Sequence, residues 1–116
     1  MKQEKVLSVL KKSWTLDSSK KWTKDNPANG QCSVTALVLQ DHFGGDILKT
    51  KVVDLWHFYN RIDNNIYDFT ESQLSTKISY DNQLATREEA LADTTIEEYE
   101  HLSNLFEKMW LSESAV

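Results

Sequence analysis

The stretch that most constrains this chain is 26–45. Turn-forming Asn26, Pro27, Asn29 and Gly30 lead into a nearly unbroken apolar run over 34–39, and Gly44-Gly45 stops it. A helix that is apolar on all sides must be buried, so this segment predicts the central helix of a domain, with the rest of the chain laid around it. The sequence has one cysteine, Cys32, and it falls in the first turn of that helix. There the unpaired backbone N–H groups and the helix dipole favour negative charge, and thiolate is the reactive form of cysteine.

The flanks read as helix before and strand after. Residues 3–14 carry Val6, Leu7, Leu10 and Trp14 at helical spacing, which predicts an amphipathic helix. A second, shorter helix is expected from about 18 to 24, capped by Asp17 or Ser18, with Trp22 facing inward; it ends before Asn26-Pro27 because the residue before proline avoids the helical region. Beyond the glycines, 46–53 alternates weakly, 55–62 is rich in aromatics and 66–69 is short. Asp63-Asn64-Asn65 is the hairpin turn between the last two, giving consecutive antiparallel strands. Thr70-Glu71-Ser72-Gln73 reads as a helix start or a turn, and 75–86 as an irregular connection. Thr94 or Thr95, each with an acid three residues on, opens a last helix whose stripe Ile96, Tyr99, Leu102, Leu105, Phe106, Met109 and Trp110 is core, followed by a frayed tail from Ser112. The whole predicts one α+β domain over 1–116: N-terminal helices and a central Cys-bearing helix packed on a short antiparallel sheet, with a C-terminal helix.

Charge and cysteine usage narrow the function classes. A net charge of −5 argues against general nucleic-acid binding. Residues 1–25 carry seven Lys against three acids, whereas nine acids face two bases from Asp81 onward; attraction between the terminal helices suffices to explain this. A single cysteine cannot form an internal disulfide, and no long apolar run suggests a signal peptide or a membrane span, so a cytoplasmic protein is expected. The absence of Cys-x-x-Cys and His-x-x-x-His spacing disfavours zinc. Gly44-Gly45 follows a helix rather than opening one, so no phosphate-cradling loop is present, and no cofactor is expected.

A helix-head cysteine becomes a site only with a base beside it. His57, inside the aromatic strand, is the nearest candidate, and Asp68 lies across the hairpin turn, 11 residues later. A carboxylate on a neighbouring strand would fix the ring tautomer and steady the imidazolium. A two-residue turn at Asn64-Asn65 would place Asp68 opposite Arg61, so contact with His57 would need a wider turn or a bulge. Structural readings stand beside these: a buried apolar thiol, a core histidine among aromatics, an Asp68 that only caps the turn at 71–73, and a Gln31 that serves the helix start.

The order helix-borne Cys, strand-borne His and next-strand acid resembles the papain-like superfamily in its compact forms, the NlpC-type peptidases and transglutaminase-like proteins. More closely, Asn26-Pro27, Gly30-Gln31-Cys32, Thr35-Ala36-Leu37-Val38, Gln40-Asp41, Phe43-Gly44-Gly45, His57, Tyr59-Asn60 and Asp68-Phe69-Thr70 with Gln73 resemble the YunG-like family of small uncharacterised bacterial proteins. The superfamily resemblance implies Cys32 as nucleophile, His57 as general base and Asp68 as orienting acid. The Cys32 backbone N–H and a side-chain amide would form the oxyanion hole. The papain pattern puts its glutamine six residues upstream of the nucleophile, where this chain has Asn26; Gln31 is the adjacent alternative and Asn60 a second possible orienter. The resemblance implies a thiol-dependent hydrolase or acyltransferase acting on an amide or thioester, its substrate a small molecule or peptide, with room for a protein partner that completes the site. The alternative is a non-catalytic binding module using the same cleft.

Overall fold

The computed structural model describes residues 1–114. The apolar run forms α2, Cys32–Phe43, in which every residue from Cys32 to Leu39 is buried. The helix stops where Gly44 takes a φ of 74° and donates its N–H to Gln40. Gly45 follows at φ 79°, and a Cβ there would lie 2.1 Å from the Arg61 carbonyl oxygen, so only glycine lets the chain turn this tightly into the sheet.

Three consecutive antiparallel strands follow: β1 (Asp46–Val52), β2 (Leu55–Ile62) and β3 (Asn65–Tyr67). The β2–β3 turn is Asp63-Asn64, both residues at positive φ (51° and 65°), the hairpin geometry that matches strand twist and that Asp and Asn tolerate. The turn lies one residue before the one considered in sequence, which shifts the strand pairing by two. Ile62 pairs with Asn65 and Asn60 with Tyr67, and β3 ends before Asp68.

The chain between 68 and 95 departs most from expectation. Glu71–Gln73 is a single turn of 3-10 helix. The segment read as irregular contains β4 (Gln83–Ala85), which pairs antiparallel with β1 and completes the sheet order β3-β2-β1-β4. It is followed by α3 (Arg87–Ala92), opened by a full capping box between Thr86 and Glu89. No helix was expected at 87–92, although Thr86-Arg87-Glu88-Glu89 carries the capping-box spacing; β4 left no such signal, because three residues that owe their shape to β1 carry no period of their own.

Helix α1 (Gln3–Ser13) packs on α4 (Ile96–Ser114), which lies against α2, and the three share one core. Val6, Val9, Leu10, Val34, Val38, Leu102 and Phe106 are buried between them, and Cys32, Ala36 and Leu37 meet Ile47 and Phe58 of the sheet and Ala90 of α3. The opposite charges of the termini meet as expected: Lys12 pairs with Glu113, and the Lys5 ammonium lies 3.9 Å from the Trp110 ring centroid. Glu113 also accepts from Ser8, and α4 runs through Ser112 to Ser114 where fraying was expected. Thr95 caps α4 by accepting the Glu98 N–H at 3.1 Å.

The helix expected over 18–24 does not form; the segment is a series of turns. Ser18 bonds the Thr15 N–H and carbonyl, and Ser19 accepts the Lys21 N–H, so hydroxyls take the backbone groups a helix would need. Trp22 still packs on the core. No described helix is long and apolar enough to cross a membrane.

Candidate functional site

Cys32, His57 and Gln73 line one cleft of about 600 Å³. Its walls are the β1–β2 hairpin (Val52, Leu55, Trp56), Leu74, the α3–α4 corner (92–95) and the loop before α2 (Lys20, Lys21, Asn29, Gly30). Cys32 is the first residue of α2 and is 6% exposed. Its N-cap, Gln31, makes no side-chain capping bond and the first turn of the helix carries no acid.

The hairpin register brings the imidazole and the carboxylate together without a bulge. Extending the pairing one step past β3 puts Asp68 opposite Tyr59, making His57 its diagonal neighbour on the same face, within reach of two such side chains. His57 Nε2 lies 2.7 Å from Asp68 Oδ2. Tyr80 donates its hydroxyl to the same oxygen at 2.7 Å, while the Thr70 N–H and hydroxyl hold Oδ1 at 3.1 and 3.2 Å. Four donors therefore converge on one carboxylate, which fixes its position. Burial raises the Tyr80 phenol above its ordinary value and the bond to Asp68 adds to this, so Tyr80 remains a donor.

His57 is 2% exposed. Burial by itself would push its pKa down. The hydrogen bond to Asp68, the Cys32 side chain as hydrogen-bond partner and the charges of both outweigh it, lifting the imidazole to about 9. With Nε2 committed to Asp68, Nδ1 is the nitrogen left for Cys32, and the Gln73 amide lies 3.3 Å from it. The ring stacks on Tyr59, at 6.1 Å between centroids, whose hydroxyl donates to Asn82 and accepts the Asn82 N–H.

The other residues singled out from sequence lie elsewhere. Gln31 is fully buried and turned to the Thr15 carbonyl, 3.4 Å from its Nε2. Asn26 is locked to Ser72, donating to its carbonyl and accepting its hydroxyl, which staples the loop before α2 to the 3-10 turn. Asn60 donates to the Ala36 carbonyl at 3.0 Å and ties β2 to α2. Sequence reading gave no role to Tyr80 and Asp93. Tyr80 comes from the polar connection, where no pattern marks it. Asp93 lines the cleft beside the head of α2; burial raises its carboxyl, partly offset by the Ser33 hydroxyl and the Lys21 charge. Among the described residues no group of three or more His, Cys, Asp or Glu is placed to hold a metal ion.

Fold and site together define a small α+β protein with a buried carboxylate–imidazole pair and a cysteine at the head of its central helix. The chain belongs to the YunG family: the family's description, YunG protein, matches residues 2–110. It is 51% identical over 105 residues to the Bacillus subtilis (strain 168) protein described as "Uncharacterized protein YunG", covering 90% of this chain and 91% of that one. No solved structure matches it.

Proposed function

We propose that this protein is a thiol-dependent hydrolase or acyltransferase of papain-like type, with Cys32 as nucleophile, His57 as acid and base, and Asp68 as orienting acid. The observation that carries this reading is the shared cleft: Asp68 holds His57 Nε2, and Cys32 at the head of α2 lines the same cleft as that imidazole. An imidazolium held beside a cysteine is the arrangement that keeps a thiolate reactive at neutral pH.

The chemistry follows from these positions. The Cys32 sulfur attacks an amide or thioester carbonyl, forming an S–C bond while the C=O π pair moves onto oxygen. Collapse of that oxyanion breaks the bond to the amine or thiol, which takes the Nδ1 proton of His57. Water or an acceptor nucleophile then gives its proton to His57 and attacks the acyl-cysteine, and the sulfur leaves as thiolate. The free cysteine suits a reducing compartment, the cytoplasm.

The test is alkylation of Cys32 by iodoacetamide from pH 4 to 10, in the intact protein and in His57→Ala. The reading expects a rate that has levelled off by about pH 6 and that loses this plateau without His57. A thiol that is inert, or whose reactivity rises only near pH 8.5 in both proteins, refutes it and leaves the cleft as a binding site.

A further inference from the structure

The chain over 75–82 forms no helix or strand, yet three residues in succession each bond a neighbour of His57. The Tyr80 hydroxyl donates to Asp68 Oδ2 at 2.7 Å. The Asp81 N–H donates at 3.0 Å to Thr50 Oγ1, and Thr50 stands opposite His57 in the β1–β2 pairing. The Asn82 N–H donates at 2.8 Å to the hydroxyl of Tyr59, whose ring stacks on the imidazole. Tyr80 also meets the Tyr59 ring edge-on, 4.9 Å between centroids, and the Thr50 hydroxyl donates to the Ser79 carbonyl. Thr50, His57 and Tyr59 share one face of the sheet and all are buried, so 79–82 covers that face over the imidazole–carboxylate pair.

The four donors on Asp68 divide their work. Thr70 holds Oδ1 with its N–H and its hydroxyl, and the hairpin sets the backbone, so the carboxylate stays in place without Tyr80. What Tyr80 alters is Oδ2, where its hydroxyl and His57 Nε2 both bond at 2.7 Å. Each donor draws the oxygen's charge toward itself, so an oxygen shared by two holds each less tightly than it would hold one. The other ionisable groups act elsewhere: Cys32 on the ring itself, Glu71 on Tyr80, Asp81 on the Tyr59 hydroxyl, and Lys21 on Asp93 across the cleft. Of all these, Tyr80 alone shares the acceptor oxygen of the ring. Burial keeps its phenol protonated, so it donates throughout the range in which His57 titrates. A ring that must accept a proton from water works best when it is not held too firmly as imidazolium.

We infer that Tyr80 is a positioning residue of the proposed reaction, acting through Asp68: by sharing Oδ2 it limits the carboxylate's hold on the imidazole and leaves His57 able to release and regain a proton. The role in catalysis rests on the thiol-dependent reading above; the effect on His57 rests on the hydrogen bonds alone.

The test is the His57 titration, followed by NMR in the intact protein and in Tyr80→Phe, which keeps the ring and removes the donor. The midpoint should rise by at least about 0.5 pH unit. Below that midpoint the neutral imidazole fraction falls tenfold per unit. Hydrolysis of the acyl-cysteine formed with p-nitrophenyl acetate should therefore slow about threefold at pH 7, while alkylation of Cys32 by iodoacetamide stays within about twofold. Loss of packing alone would loosen the pair, so a midpoint that falls or does not move overturns the inference, as does a raised midpoint with unchanged hydrolysis. 3-Fluorotyrosine placed at position 80 is a more acidic phenol and a stronger donor, so it should move the midpoint the opposite way, downward; a rise there overturns the inference, and this arm decides if Tyr80→Phe does not fold. Acylation that never occurs overturns the thiol-dependent reading and with it the role in catalysis, whereas a wrong midpoint overturns the inference and leaves that reading standing.

Discussion

Replacing Asp68 by Asn removes one charge and keeps the shape, and its consequences can be worked out from the four donors around the carboxylate. If the new carboxamide keeps its oxygen toward the Thr70 N–H and hydroxyl, its NH2 faces the two donors that Oδ2 now accepts, His57 Nε2 and Tyr80. The imidazole can answer only by losing the Nε2 proton and carrying its proton on Nδ1, the nitrogen that the proposed chemistry uses toward Cys32. The ring then has the wrong tautomer to accept a thiol proton. The energetic scale comes from the His57 shift, from 6.5 to about 9, which at 1.36 kcal/mol per pH unit is about 3 kcal/mol of preference for the imidazolium in the folded protein. Because the folded value is raised, that stability is fully present below pH 6.5 and is lost as pH rises through about 9. Urea unfolding followed by tryptophan fluorescence should therefore show the intact protein losing up to about 3 kcal/mol more than Asp68→Asn between pH 6 and pH 9.5. The His57 ring, assigned by NMR against His57→Ala, should titrate at or below 6.5 in the variant, and Cys32 alkylation at pH 7 should slow at least tenfold, roughly. A His57 that titrates near 6.5 in the intact protein, or an unchanged titration in Asp68→Asn, would refute the reasoning.

Two further outcomes test the backbone that holds the site. Gly44 and Gly45 both sit at positive φ, but a Cβ at Gly44 meets nothing within 4 Å, whereas one at Gly45 meets the Arg61 carbonyl oxygen at 2.1 Å. Gly44 lies at φ 74°, ψ −154°, a region essentially only glycine occupies, so Gly44→Ala should cost on the order of 1–3 kcal/mol for the backbone alone and Gly45→Ala clearly more because it adds the clash; equal losses in thermal midpoint would contradict this. Val53, a β-branched residue at φ 57° in the β1–β2 turn and 89% exposed, carries a backbone cost that burial does not offset. Val53→Gly should raise stability by about 1 kcal/mol, a few degrees in the midpoint, and a lower midpoint would show that this valine is held by contacts.

The chain's own periodicities determined much of the architecture. The all-round apolar character of 34–39 required a buried helix, Gly44-Gly45 set its end, and the turn residues after Ile62 set a hairpin, because each depends only on neighbours in sequence. The same local logic placed Cys32 at a helix head and put His57 and Asp68 on either side of one hairpin turn, though the strand read over 66–69 ends at Tyr67, before Asp68. Local logic failed at 18–24, where serine hydroxyls outcompeted a weak helix, and at 83–85, where the strand exists only because β1 offers an edge. What only the tertiary structure decided is how the side chains converge. Moving the two-residue turn by one position shifts the pairing by two, which takes Asp68 from opposite Tyr59 to opposite Arg61 on the same face, too far along the strand to reach His57. Tyr80 reaches Asp68 and Gln73 reaches His57 from segments without periodic pattern, while Gln31 and Asn26 are claimed by Thr15 and Ser72. A polar side chain's partner depends on what the fold brings within about 3 Å of it, and sequence spacing carries no measure of that distance.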